Sequence, residues 1–188
     1  ESGCGKSTLG RVVAGVHAAS DGKVYWRGKD VSTLSGAERR DALLKIQMIF
    51  QDPMSSLNPY MRVFDLVAEP LRIHRAARGV ELEHRVVSTL EKVGLPRDAL
   101  QRFPHAFSGG QRQRIGIARA LVLEPKLVIA DEAVSALDVS IQAQILNLLE
   151  DLKADFGLTY IFISHDLGVV NYLADRVVVM YLGHVVES

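Results

Sequence analysis

Gly3-Cys4-Gly5-Lys6-Ser7-Thr8 is the second half of a Gly-x-x-x-x-Gly-Lys-Ser/Thr loop whose first glycine would stand immediately before Glu1. Glycines at this spacing let consecutive backbone N–H groups turn inward around an anion. Lys6 supplies a point charge, and a helix starting near Lys6 presents its positive end. Ser7 would offer its hydroxyl to Mg²⁺. A plain glycine turn ahead of a helix does not demand Gly-Lys-Ser-Thr in this order. By itself the loop says only that a nucleotide is bound.

Working outward, Lys126-Leu127-Val128-Ile129-Ala130 and Leu158-Thr159-Tyr160-Ile161-Phe162-Ile163-Ser164 are apolar runs without alternation, which predicts parallel strands buried on both faces. Between them, Ile141, Ile145, Leu148, Leu149 and Leu152 recur at helical spacing from Val139 to about Lys153. The unit reads strand, helix, strand. Earlier, Lys45 to Phe50 predicts another strand, Lys23 to Asp30 an exposed strand and turn, and Ser35-Gly36-Ala37-Glu38 a capped helix start. Asp175 to Tyr181 and Gly183 to Glu187 predict two last strands joined at Leu182-Gly183. The stretch from Val63 to Phe103 carries helical patterns and no strand, and reads as a helical insertion. The expected class is α/β: a phosphate-loop core with a mainly parallel sheet between helices, and a helical subdomain inserted after Gln51.

Leu127-Val128-Ile129-Ala130-Asp131-Glu132 ends in two carboxylates, at the C-terminal strand edge where open α/β sheets place their ligands. Asp131 is expected to hold Mg²⁺. Glu132, pointing the other way on the strand's continuation, would orient or deprotonate an attacking water. His165 follows the next strand in Ile163-Ser164-His165-Asp166 and is expected to donate to a γ-phosphate. The other histidines, His17, His74, His84, His105 and His184, share no such placement and read as surface or packing residues. Gln51 ends the strand Ile46 to Phe50 and opens the polar loop Asp52-Pro53-Met54-Ser55-Ser56-Leu57-Asn58-Pro59. Its amide could reach Mg²⁺ or the water and feel movement of the insertion. A second anion site is read at Phe107-Ser108-Gly109-Gly110-Gln111, where Ser108 caps a helix and Gln111 closes a Ser-x-x-Gln box. Two glycines in a first helical turn cost roughly 1 kcal/mol each against alanine. A capped helix alone leaves that cost unexplained, whereas bare N-terminal amides suit an approaching phosphate. The helix runs on to Leu123 and carries Arg112, Arg114 and Arg119.

Composition sets the outer limits. The 188 residues are 48% apolar and 23% charged, an ordinary globular balance that excludes disorder as the main state. Lys and Arg (22) cancel Asp and Glu (22), so nothing pulls the chain toward nucleic acid. One cysteine, Cys4, cannot form an internal disulfide, and no Cys/His cluster has zinc spacing. The apolar run Val177 to Leu182 is far below the roughly 18 residues that read as a membrane span. The chain begins at Glu1, without Met and inside a motif, which points to a fragment. The strand entering the phosphate loop should then be missing, leaving an open slot in the parallel sheet.

In this order and spacing the motifs resemble the nucleotide-binding domain of ATP-binding cassette proteins, over essentially the whole chain. By resemblance, the Walker A segment supplies Ser2, Gly3, Cys4, Gly5, Lys6, Ser7 and Thr8 to the nucleotide, and the signature sequence supplies Ser108, Gly109, Gly110 and Gln111. Gln51 is similar to the Q-loop glutamine, Leu127 to Glu132 to the Walker B strand, and His165 to the switch histidine. Ser135-Ala136-Leu137-Asp138 is similar to the D-loop, which places Asp138 at the nucleotide. Ser7, Gln51 and Asp131 would hold the metal, and Glu132, His165 and Gln51 would carry catalysis. Phe50 to Pro59 and Val134 to Gln144 further resemble the ATPase subunits of bacterial dipeptide, oligopeptide and nickel importers. Ala133 stands where this family usually has proline, which removes a φ restraint and no catalytic group, and Phe107 replaces the commoner leucine.

The resemblance implies one cassette over 1–188 with a helical subdomain at about 63–125, ATP and Mg²⁺ as ligands, and ATP hydrolysis coupled to transport. It implies a head-to-tail dimer with an identical or paralogous cassette, two membrane-spanning permease subunits, an external substrate-binding protein, and a peripheral place on the cytoplasmic face of the bacterial inner membrane. No nucleic acid partner is expected. A soluble cassette protein of repair, chromosome or ribosome function would share the ATP chemistry, but neutral charge, a single cassette and the lack of heptads speak against it. A nonhydrolytic binding module is disfavoured by Glu132 and His165 occurring together.

Overall fold

The computed structural model describes residues 3–188. The first helix, α1, Lys6–Val13, starts at Lys6 as expected, with Gly5 as its left-handed N-cap. Next come a hairpin of β1, Tyr25–Trp26, and β2, Lys29–Asp30, then α2, Gly36–Leu44, whose Ser35/Glu38 capping box has both reciprocal bonds. β3, Ile46–Ile49, and the short α3, Pro53–Ser56, lead into a helical region. That region holds α4, Val63–Ile73, α5, Gly79–Lys92, and α6, Gly109–Leu121. β4, Leu127–Asp131, α7, Val139–Phe156, and β5, Thr159–Ile163, form the expected strand–helix–strand unit. After α8, Leu167–Leu173, the chain ends in the antiparallel pair β6, Val179–Tyr181, and β7, His184–Glu187.

The central sheet is parallel in the order β3-β4-β5, with Ile46 opposite Leu127 and Leu127 opposite Thr159. Its middle strand explains its own composition. Val128 and Ala130 face the large core shared with α4 to α7, while Leu127 and Ile129 face a smaller one shared with Ile46, Ile163 and the end of α1. All five residues of β4 are buried, so the absence of alternation was the right signal there. β5 departs from the expectation of burial on both faces. Thr159 and Ile161 are exposed, and β5 pairs with β4 on one edge and, among the described residues, with no strand on the other. The sheet is therefore open along β5, and β6–β7 forms a separate hairpin. The first of those last strands begins at Val179 rather than Asp175, since Asp175 to Val178 find no ladder partner among the described residues.

α1 lies directly on β4 and β5. Gly10 permits this: a Cβ there would sit 2.9 Å from Ile163 Cδ1 and 3.2 Å from Ile129 Cγ2, too close for a side chain to be inserted without movement. α6, by contrast, packs on β3, α3, α4, α5 and α7. The two helix starts read from the sequence thus belong to different layers, one on each side of the sheet.

Candidate functional site

The C-terminal edge of the sheet gathers the chemistry. β4 delivers Asp131, 2% exposed, against the first turn of α1, where Ser7 Oγ donates to Asp131 Oδ1 at 2.7 Å. A carboxylate this deep is stable in charged form only with hydrogen bonds and a countercharge. The donor set fits Mg²⁺, which takes hard oxygens, commonly from one or two protein groups, and completes its octahedron with water and phosphate. Among the described residues no group of three or more His, Cys, Asp or Glu could hold a metal ion. Phosphate oxygens would therefore have to finish the shell around Ser7 and Asp131.

Glu132 follows directly, but not as a continuation of the strand. Its φ is 48°, a left-handed turn that ends β4, while its N–H still donates to the Ile163 carbonyl of β5 at 2.9 Å. That kink corrects the expectation that Glu132 continues the strand. The Glu132 carboxylate is bracketed. Gln51 Nε2 donates to Oε2 at 2.8 Å, and His165 Nδ1 lies 3.5 Å from Oε1. The glutamine follows β3, the glutamate β4 and the histidine β5, so parallel neighbours in the sheet bring all three to one point. His165 is mostly exposed, and Asp166 behind it caps α8 by accepting from Gly168 and Val169.

In the phosphate loop, Lys6 Nζ donates to Cys4 Sγ at 3.2 Å. Cys4 is buried, and the Lys6 ammonium holds its thiol below the usual range. The loop is also tied to the last hairpin, where Gly183 N–H donates to the Cys4 carbonyl at 3.2 Å. Ser2 lies outside the described residues.

The second helix start is built as read. Ser108 Oγ accepts from Gln111 N–H at 3.3 Å and Gln111 Oε1 accepts from Ser108 N–H at 3.0 Å. The Ser108 hydroxyl hydrogen remains free to donate outward. The glycine pair is only half explained by bare amides. Gly110 is buried, and a Cβ there would stand 2.4 Å from Ile141 Cγ2, so the residue is needed for α6 to pass α7; at Gly109 the nearest atom would be Leu137 Cδ2 at an ordinary 3.6 Å. Asp138 caps α7, accepting from Ile141 N–H at 3.0 Å. The structure thus brings Lys6, Ser7, Asp131, Glu132, Gln51 and His165 to one sheet edge, and leaves Ser108 to Gln111 on the layer beyond it.

A profile of the ABC transporter family matches residues 1–135. The chain belongs to the ABC transporter family. Among its relatives, the oligopeptide transport ATP-binding protein OppF of Salmonella typhimurium is 57% identical across the whole chain, which spans 56% of that protein. OppF of Bacillus subtilis is 54% identical, with 62% of its length covered. The chain thus spans little more than half the length of the curated relatives it matches. Two solved cassettes superpose over the entire chain. CbiO1 from Clostridium perfringens, part of the ABC transporter complex cbiONQ, does so with a TM-score of 0.87 at 30% identity and 73% coverage of that chain. The cassette MJ0796, a dimer in a post-hydrolysis state bound to ADP and Pi, gives 0.85 at 29% identity and 81% coverage. The expected ABC fold is borne out.

What the sequence did not disclose lies between the cassette's layers. A cavity of about 320 Å³ opens beside β3, lined among others by Phe50, Leu57, Pro70, Gln113 and Arg119. No periodicity flags it, because its walls come from the residues after α1 and from α2, β3, α4 and α6 together. Among the described residues no helix is long and apolar enough to cross a membrane.

Proposed function

We propose that this cassette hydrolyses ATP to drive an importer, with peptides as the cargo class. The observation that carries the reading is the meeting of Ser7 with Asp131 and of Gln51 with Glu132 and His165 at the edge of one parallel sheet. Each group has a chemical task there. The loop from Gly3 to Thr8 wraps the phosphates in backbone N–H groups, and Lys6 leaves Cys4 to neutralise them. Ser7 and Asp131 would hold Mg²⁺, which when bound offsets charge on the phosphate oxygens. Glu132 takes a proton from water as its oxygen bonds to the γ-phosphorus and the bond to the bridging oxygen breaks. Gln51 and His165, freed from Glu132, aim the water and donate to the γ-phosphate.

Ser108, Gly109, Gly110 and Gln111 start a helix on the layer away from α1, so they suit ATP held by a second cassette. The dimer of MJ0796 supports pairing of two cassettes, and the separate layers of the two helix starts favour a head-to-tail arrangement. ATP then joins the two subunits, and cleavage of the γ-phosphate weakens the contacts of Ser108, Gly110 and His165 so that the pair opens. Residues 63–125 form the helical subdomain of this single cassette. The loop from Gln51 to Met61, over the cavity beside β3, receives a short helix from one of two permease subunits at the cytoplasmic face of the membrane. An external binding protein selects the cargo. Peptides are favoured because the relatives are named for oligopeptide transport.

The test uses the full-length protein. Glu132→Gln should lower phosphate release about 10²- to 10⁴-fold while ATP still binds, whereas Lys6→Ala should weaken ATP binding itself. Parent-like phosphate release from Glu132→Gln would sink the assignment. Co-purification with two multispanning subunits would favour the importer over a soluble cassette protein.

A further inference from the structure

Three arginines of α6, Arg112, Arg114 and Arg119, each bond within the helical region. Arg112 Nε donates to the Phe107 carbonyl at 2.9 Å, and Arg114 Nη1 donates to the Val93 carbonyl at 2.7 Å, tying α6 to the end of α5. Arg119 joins three elements. Its Nη1 donates to the Ser56 carbonyl at 2.9 Å and its Nη2 to Glu69 Oε2 at 2.6 Å, so one planar guanidinium holds the segment after Gln51, the helix α4 and the far end of α6. Arg119 and Glu69 are equally exposed, each at 33% of the side chain, and with Ser56 and Phe50 they line the cavity beside β3.

We infer that Arg119 is a positioning residue that makes the two halves of the nucleotide chemistry respond together to whatever docks over that cavity. The inference rests on the importer reading above. α6 begins at the signature residues and ends at the clamp. It is a rigid element about 20 Å long, with Ile115, Ile117, Ala118 and Leu121 in the core. The segment 52–56 begins next to Gln51, whose amide holds Glu132. Displacing Ser56 therefore pulls in two directions. Through the chain it moves Gln51 against Glu132, and through Arg119 it tilts α6 and with it Ser108. A guanidinium suits this because its donors are fixed in one plane and engage two acceptors at once, which the point charge of a lysine does with less directional constraint. Without the clamp the docking segment could still move Gln51, and α6 would follow only through the packing of α3 and α4 against it, without a directional bond.

The experiment compares full-length wild type, Arg119→Met, Arg119→Lys and Glu69→Gln, each alone and assembled with co-expressed membrane-spanning subunits in proteoliposomes. Turnover and KM for MgATP are read in both settings. Arg119→Met is expected to lose about tenfold of the stimulation that assembly produces. Its basal turnover and KM should stay within about twofold of wild type, and Arg119→Lys should recover part of the stimulation. Glu69→Gln, which keeps the Ser56 bond, should give a smaller loss and carries the test if Arg119→Met fails to fold. Unchanged stimulation in Arg119→Met and Glu69→Gln, or a parallel fall of basal and stimulated rates, overturns the positioning role. Absence of any stimulation in wild type overturns the importer reading and this inference with it.

Discussion

Gly109 and Gly110 are adjacent, identical and equally costly to a helix, yet they answer to different forces. At Gly110 the constraint is Ile141 on α7, and Gly110→Ala is expected to destabilise the protein by about 1–3 kcal/mol through overpacking. At Gly109 a methyl meets only ordinary contact, so Gly109→Ala should leave stability equal or raise it by up to about 1 kcal/mol through helix propensity. Urea midpoints of the two variants check the difference. Any loss of ATP turnover in a stable Gly109→Ala would then report the phosphate-facing role of the amides rather than folding. The same scale shows why Glu132 was readable and its placement was not. Two acids after an apolar run are visible in the chain, but the left-handed turn at Glu132 depends on the bond from its N–H to Ile163, a residue far along the sequence.

Among the elements, helix starts were the most legible. Ser35 and Ser108 cap the helices that follow as read, and Asp138 caps α7, since an oxygen just before the first turn accepts from an N–H three residues on. Asp138 invites a separation of roles. Asp138→Ala should cost about 1 kcal/mol by uncapping α7, while Asp138→Asn keeps an acceptor and should cost only a few tenths. If the carboxylate also acts at the nucleotide between two cassettes, Asp138→Asn should keep its thermal midpoint and still turn over ATP more slowly. Unchanged turnover would restrict Asp138 to the cap. Strand edges were less legible. β4 and β5 look alike as runs of apolar letters, and only the structure shows that β4 is buried throughout and paired on both edges, while β5 is partly exposed and, among the described residues, paired on one.

For the whole molecule, the decisive feature is the separation of the two glycine-bearing helix starts. α1 lies against β4 and β5, and α6 belongs to the layer of α4, α5 and α7. On the head-to-tail arrangement proposed above, a nucleotide on α1 meets the α6 start of another subunit. Ser108→Arg in the full-length Glu132→Gln background should therefore leave ATP affinity within about twofold while abolishing ATP-driven dimers, since a bulky cation at the capping position blocks approach to the facing site. Light scattering with and without ATP reads the result. A persistent dimer would contradict closure through the signature helix.

The chain's own letters determined the phosphate loop, the capped helix starts, the paired acids after a buried strand and the membership in one family, because each is a local pattern with a local physical cause. Tertiary structure decided what those patterns face. It set Glu132 between Gln51 and His165, gave Gly110 its neighbour in Ile141, and put Arg119 against Ser56 and Glu69. Contacts between residues far apart in the sequence depend on strand order and helix layering, and no single stretch of sequence carries that information.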